Sequence, residues 1–135
     1  MSFYNNDVTL RTTSVTAARE IKASAHYAYI TGGATLDGSK FAVGELILEG
    51  QCLAKNDATG MYEKYPGDDV GPVFKAGYSN PVILDESIKF EVDDSGANPD
   101  VTFGQGMVHG AVYTGMCIGL TTAFKAALVG AVRFL

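Results

Sequence analysis

The stretch Val43 to Tyr65, VGELILEGQCLAKNDATGMYEKY, decides how the rest of the chain is read. It predicts a strand, a tight bend at Gly50, a second strand, a turn and a third strand. Leu46 and Leu48 alternate with Glu45, Ile47 and Glu49, the period of a pleated ribbon, which assigns the two leucines to one face. Asn56 and Asp57 fold their side chains back onto the backbone, and Gly60 is free to take the left-handed conformation that closes a short loop. Met61, Tyr62 and Tyr65 resume the ribbon. No side chain in this stretch carries the marks of an activated nucleophile or base.

Working outward, Tyr27 to Ile30 reads as a short strand ended by Gly32-Gly33, and Leu36 to Ser39 as a turn. Beyond Tyr65, Pro66-Gly67-Asp68-Asp69 breaks the ribbon, Gly77 to Pro81 reads as loop, and Val82-Ile83-Leu84 as a compact buried strand. Ile88, Phe90 and Val92 alternate with Lys89 and Glu91, the pattern of a half-buried antiparallel strand. Asp93 to Asp100 reads as a solvated loop, and Val101 to Phe103 and Met107 to Cys117 as the next strands. A single helix follows, capped by Thr121 or Thr122, with Phe124, Ala127 and Leu128 on one face and Gly130 at its end. Val132 to Leu135 closes the chain as a strand. Many short strands with one small helix predict a mainly β domain, a compact barrel or sandwich, over residues 26–135.

Residues 1–25 have a different character. Val8 to Thr16 is rich in β-branched and hydroxyl side chains but thin in apolar ones, and Ala17 to Ala25 allows one or two helical turns. Two readings stand side by side: a frayed terminus, or an arm that adds a strand to a partner's sheet edge. Phe3, Tyr4, Val8, Leu10 and Val15 are the candidate anchors of such an arm, and Arg11 its candidate partner for a carboxylate.

Length and charge narrow the function classes. The 135 residues suffice for one domain with a core, and the net charge of −5 comes without any Lys/Arg cluster, which argues against direct nucleic-acid binding. The first residues lack the basic and apolar runs of a secretory signal, and the apolar run Ala126 to Val132 is too short to span a bilayer. Cys52 and Cys117, without metal or redox spacing, read as reduced, buried small hydrophobes inside strands.

Candidate chemistry is sparse. His109 has no carboxylate between Thr102 and the chain end, so a structural imidazole, hydrogen-bonded at a strand or a subunit contact, is favoured over a general base. His26 stands alone. The Asp93 to Asp100 loop, DDSGANPD, has the oxygens of half a calcium loop but lacks its spacing and distal glutamate. Gly104-Gln105-Gly106 lacks the following helix of a phosphate cradle. Neither catalytic, metal nor cofactor residues are expected.

The hairpin Gly50 to Tyr65, read as G-x-x-L-A-x-x-x-x-T-G-x-Y-x-x-Y, resembles that of tailed-phage head decoration proteins of the lambda capsid-stabilising type. Later blocks follow in order: Pro81 to Glu86 is similar to a buried I-L-x-D/E strand, Val108 to Val112 to a V-x-x-H-G-x-V strand, and Thr122 to Leu135 to a closing helix and apolar strand. The region before Phe41 is longer than that pattern, and Asp68 to Tyr78 has no counterpart in it. The resemblance implies a β-tulip fold, homotrimers on the outside of an expanded capsid, the major capsid protein as partner, and an amino-terminal arm that orders on the shell. The expected location is the virion surface, after synthesis in the host cytoplasm. A β-rich carbohydrate- or receptor-binding module, with Tyr62, Tyr65 and Tyr78 clustered on the surface, is the alternative. A small hydrolase using His109 is a third.

Overall fold

The chain folds around one strand pair that is buried on both sides. In the computed structural model, which describes residues 20–67 and 71–135, Cys52, Leu53 and Ala54 are all fully buried, as are Val82, Ile83 and Leu84. These belong to β4 (Cys52–Asn56) and β6 (Tyr78–Leu84), paired antiparallel. Alternate residues of a strand point to opposite faces. Cys52, Ala54 and Ile83 therefore join one apolar cluster, and Leu53, Val82 and Leu84 a second.

The remaining strands are β1 (Ala28–Tyr29), β2 (Ala34–Leu36), β3 (Leu46–Ile47), β5 (Tyr62–Lys64), β7 (Ile88–Lys89), β8 (Val101–Phe103), β9 (Gly106–Val112) and β10 (Val132–Phe134). The main sheet runs β1-β9-β6-β4-β5-β2-β8, with β10 added to β9, and curls into a half-barrel. One face is covered by the helix α1 (Thr122–Ala127), through Phe124 and Leu128, and by Ile21. The other is covered by the β3–β7 ribbon, through Ile47, Ile88 and Phe90. Among the described residues the fold is mainly β with one short α-helix, as the turn and strand spacing predicts.

The hairpin of the quoted stretch forms between β4 and β5, with Gly60 at φ 74° and its amide donating to Asn56 O. Gly50 is at φ 101°, and a Cβ there would lie 2.2 Å from Met116 O. Only glycine fits that bend without strain.

Several expectations are corrected. Ile47 is 1% exposed and Leu46 51%, so the ribbon buries the isoleucine rather than the leucines. The pairing Ile47↔Ile88 sets this, because it turns Ile47 toward Phe90 and the sheet. Val92 lies outside β7 and is exposed. β6 starts at Tyr78, not after Pro81. Two residues, Asn80 and Pro81, stand opposite Ala54, so the proline sits in a bulge where its missing N–H costs no ladder bond. β9 ends at Val112, and Thr114–Met116 forms a single helical turn that leaves Cys117 outside any strand. On α1 the buried residues are Ala123 and Phe124, while Ala127 is exposed. Residues 20–25 form no helix. Lys22 instead bridges Val112, and Ile21, grouped above with the arm, is fully buried in the core. The Asp93 to Asp100 loop is tied down: Asn98 donates to Gly38 O, Phe41 O and Ala42 O, and accepts from the Gly44 amide at 2.8 Å.

Candidate functional site

Two places on this scaffold concentrate polar side chains or open apolar surface. The first lies where the described chain begins. Residues 21–30 run along one side of β9, with Ala23 donating to Ala111 O, Tyr113 to Ile21 O, and Ala28 facing His109. Lys22 Nζ lies 2.9 Å from Asp85 Oδ2, and the Tyr29 hydroxyl donates to the same oxygen at 2.5 Å. Asp85 is almost fully buried. Burial pulls the Lys22 ammonium toward release of its proton, but the hydrogen bonds to Asp85 and Glu20 outweigh this and raise its pKa. Burial, then the bond to Asp85, pushes the Tyr29 hydroxyl up as well. Lys22 also lies 5.1 Å from the Tyr27 ring centre, and Tyr27 packs on Tyr29. The set is an anchor: it fixes the first described residues against the sheet.

The second is a groove of about 700 Å³ between α1 and β10. Thr122, Lys125, Ala126 and Val129 line its helical wall at spacings of three and four, one face of a helix. Val132 and Phe134 line the opposite wall, and Val129 is 79% exposed. His109, Lys125 and Arg133 stand on its rim. Lys125 Nζ lies 5.9 Å from the Phe134 ring centre. None of the three cationic or imidazole groups makes a salt bridge among the described residues.

The other candidates resolve by their partners. His109 is exposed, with no side-chain hydrogen bond among the described residues, so of the two settings expected for it the strand contact is not formed. It shares the groove lining with Thr122, Lys125 and Arg133, and no carboxylate among the described residues lines that groove to orient it as a base. Tyr62 and Tyr65 are buried, and Tyr78 is half-buried with its hydroxyl donating to Glu63 at 2.9 Å. Tyr65 stacks on Phe74 at 4.5 Å. Tyr62, Tyr65 and Tyr78 therefore form no surface cluster, which counts against the carbohydrate-binding alternative. Glu86 Oε2 accepts from the Gly104 and Gln105 amides, so that bend is closed by the chain's own carboxylate. Asp93 Oδ1 accepts from the Ser95 amide and hydroxyl and from the Ala97 amide; the Ser95 hydroxyl, foremost, holds its carboxyl below the usual range. Burial pushes the Cys52 thiol up, away from thiolate chemistry. Among the described residues no group of three or more His, Cys, Asp or Glu converges on a metal-sized site, and no helix is long and apolar enough to cross a membrane.

Phe3, Tyr4, Val8, Leu10, Arg11 and Val15 lie outside the described residues. Sequence reasoning missed both places above. Asp85 and its partner Lys22 are 63 residues apart in the chain, so no local pattern joins them. The groove's helical wall carries one apolar side chain larger than alanine, too little to mark a face. Comparison with protein-family models, with curated proteins and with solved structures finds no match to this chain.

Proposed function

We propose that the chain is a structural virion protein, one that binds the outside of an expanded phage capsid and cements neighbouring shell subunits, as homotrimers. The observation that carries this reading is the anchored start of the body. Ile21 in the core and Lys22 on Asp85 fix the point from which residues 1–19 are delivered. A segment held at its root loses less freedom on docking than one hung from a loose loop, so strand addition to a shell edge is favoured. The order of the hairpin and later motifs supports the same reading. So does the exposed apolar surface of Val43, Leu46 and Val92, available for burial between subunits. Many copies on one shell multiply a modest contact energy.

The test is co-sedimentation of the full chain with expanded heads of the encoding phage that lack it. Saturable binding at a fixed ratio to shell subunits, with a raised shell melting temperature, is expected. Binding lost on deletion of residues 2–19 would assign it to the arm. Absence of binding to expanded heads by the folded full chain would overturn the proposal.

A further inference from the structure

We infer that the groove between α1 and β10 takes an extended peptide segment of a partner protein, one with carboxylates beside apolar side chains, added as a strand to the open edge of β10. Three observations converge on it, and none depends on the capsid reading.

The first is the backbone. Among the described residues β10 pairs with β9 alone, in parallel. The Gly110 amide donates to Ala131 O and the Leu135 amide to Val112 O. Residues 131, 133 and 135 therefore turn their peptide groups toward β9, and 132 and 134 turn theirs away. The Val132 amide is used by Leu128 O at 2.9 Å, within the turn that follows the helix. By that alternation the Phe134 amide and carbonyl point away from β9, the one strand that pairs with β10 among the described residues. An open strand edge is a template for another chain.

The second is the wall. Val129 is exposed, and Ala126, Val132 and Phe134 continue it, so alternate side chains of an added strand meet an apolar surface. The third is charge. On a protein of net charge −5, this groove is lined by the cations Lys125 and Arg133 and by no acidic residue. Its field selects a segment carrying Asp or Glu. The chain's own first nineteen residues do not fit that requirement, since they hold Asp7 as their one acidic residue against Arg11 and Arg19. An anionic lipid or fatty acid would satisfy the rim and the wall but leave the Phe134 peptide groups unused.

The test is nuclear magnetic resonance of the full chain titrated with a short synthetic peptide of alternating valine and aspartate. The same peptide with lysine for aspartate, and dodecanoate, serve as comparators. Saturable shifts centred on the Phe134, Arg133 and Val129 amides are expected for the aspartate peptide alone. Lys125→Glu with Arg133→Glu, both at exposed positions, should weaken binding about tenfold with an unchanged melting temperature. Shifts outside the groove, equal binding of the lysine peptide, or tighter binding of dodecanoate would overturn the inference. So would groove shifts that appear with protein concentration alone, which would make a second copy the occupant.

Discussion

Asp85 shows how one residue sets a local energy balance. Its carboxylate is nearly sealed from water, and Lys22 and Tyr29 both donate to one of its oxygens. Both donors hold their protons more tightly in the folded chain than at their ordinary values of 10.5 and 10.0. Once pH passes those values, the folded state binds more protons than the unfolded state, so stability falls as pH rises. Below them the contribution is fully present. The melting temperature is therefore expected to hold level up to about pH 10 and to drop beyond it. In a Lys22→Met, Tyr29→Phe double variant the melting temperature starts lower and the alkaline drop is shallower. A drop as steep in the variant as in the parent, measured by thermal melts across this range, would place the alkaline loss elsewhere. The acidic pair at Asp85-Glu86 was visible in the sequence. Its two residues do different work, Asp85 binding the chain's beginning and Glu86 the Gly104 bend, and only contacts distant in sequence separate them.

At the scale of elements, α1 is short but well determined at its start. Thr121 Oγ1 accepts from the Phe124 amide at 3.1 Å, which selects it from the two threonines that the sequence offers as caps. Which face it buries was less legible. Ala123, Phe124, Ala126, Ala127, Leu128 and Val129 place apolar side chains all round so short a helix. Phe124 and Leu128 are buried, as expected; Ala123 rather than Ala127 completes the face, because the helix lies against Tyr65 and Phe74. Phe124→Ala is expected to cost about 3–5 kcal/mol in urea unfolding, from lost transfer energy and the cavity left behind. Ala127→Ser should stay within about 0.5 kcal/mol, as for an exposed position. Reversed sensitivities would mean that the helix packs by its other face.

At the scale of the molecule, the two apolar clusters lie on opposite faces of one sheet and share β4 and β6. Neither layer can leave without exposing side chains on strands that hold the other, which couples them into one cooperative unit. Amides of Leu53, Ala54 and Ile83 are expected to exchange with solvent deuterium only through global unfolding, all with the same free energy. Amides of Ser95 and Ala97, in an exposed loop closed by one carboxylate, should exchange through local opening far sooner. Separate exchange energies for Leu53 and Ile83 would show that the layers come apart independently.

The sequence by itself determined what depends on a few adjacent residues. The Asn56–Gly60 turn, the bend at Gly50, a threonine cap at the start of the helix, the burial of Val82 to Leu84 and the mainly β class are of this kind. Each follows from backbone sterics, local hydrogen bonding or the alternation of side chains. Tertiary structure alone decided which residue of Leu46 and Ile47 turns inward, how Pro81 fits inside a strand, that β10 joins β9 in parallel, and that Ile21 belongs to the core. It alone assembled the groove and the Lys22–Asp85–Tyr29 anchor. Those choices follow from burial against residues far away in the chain, and a local pattern is compatible with more than one such partner.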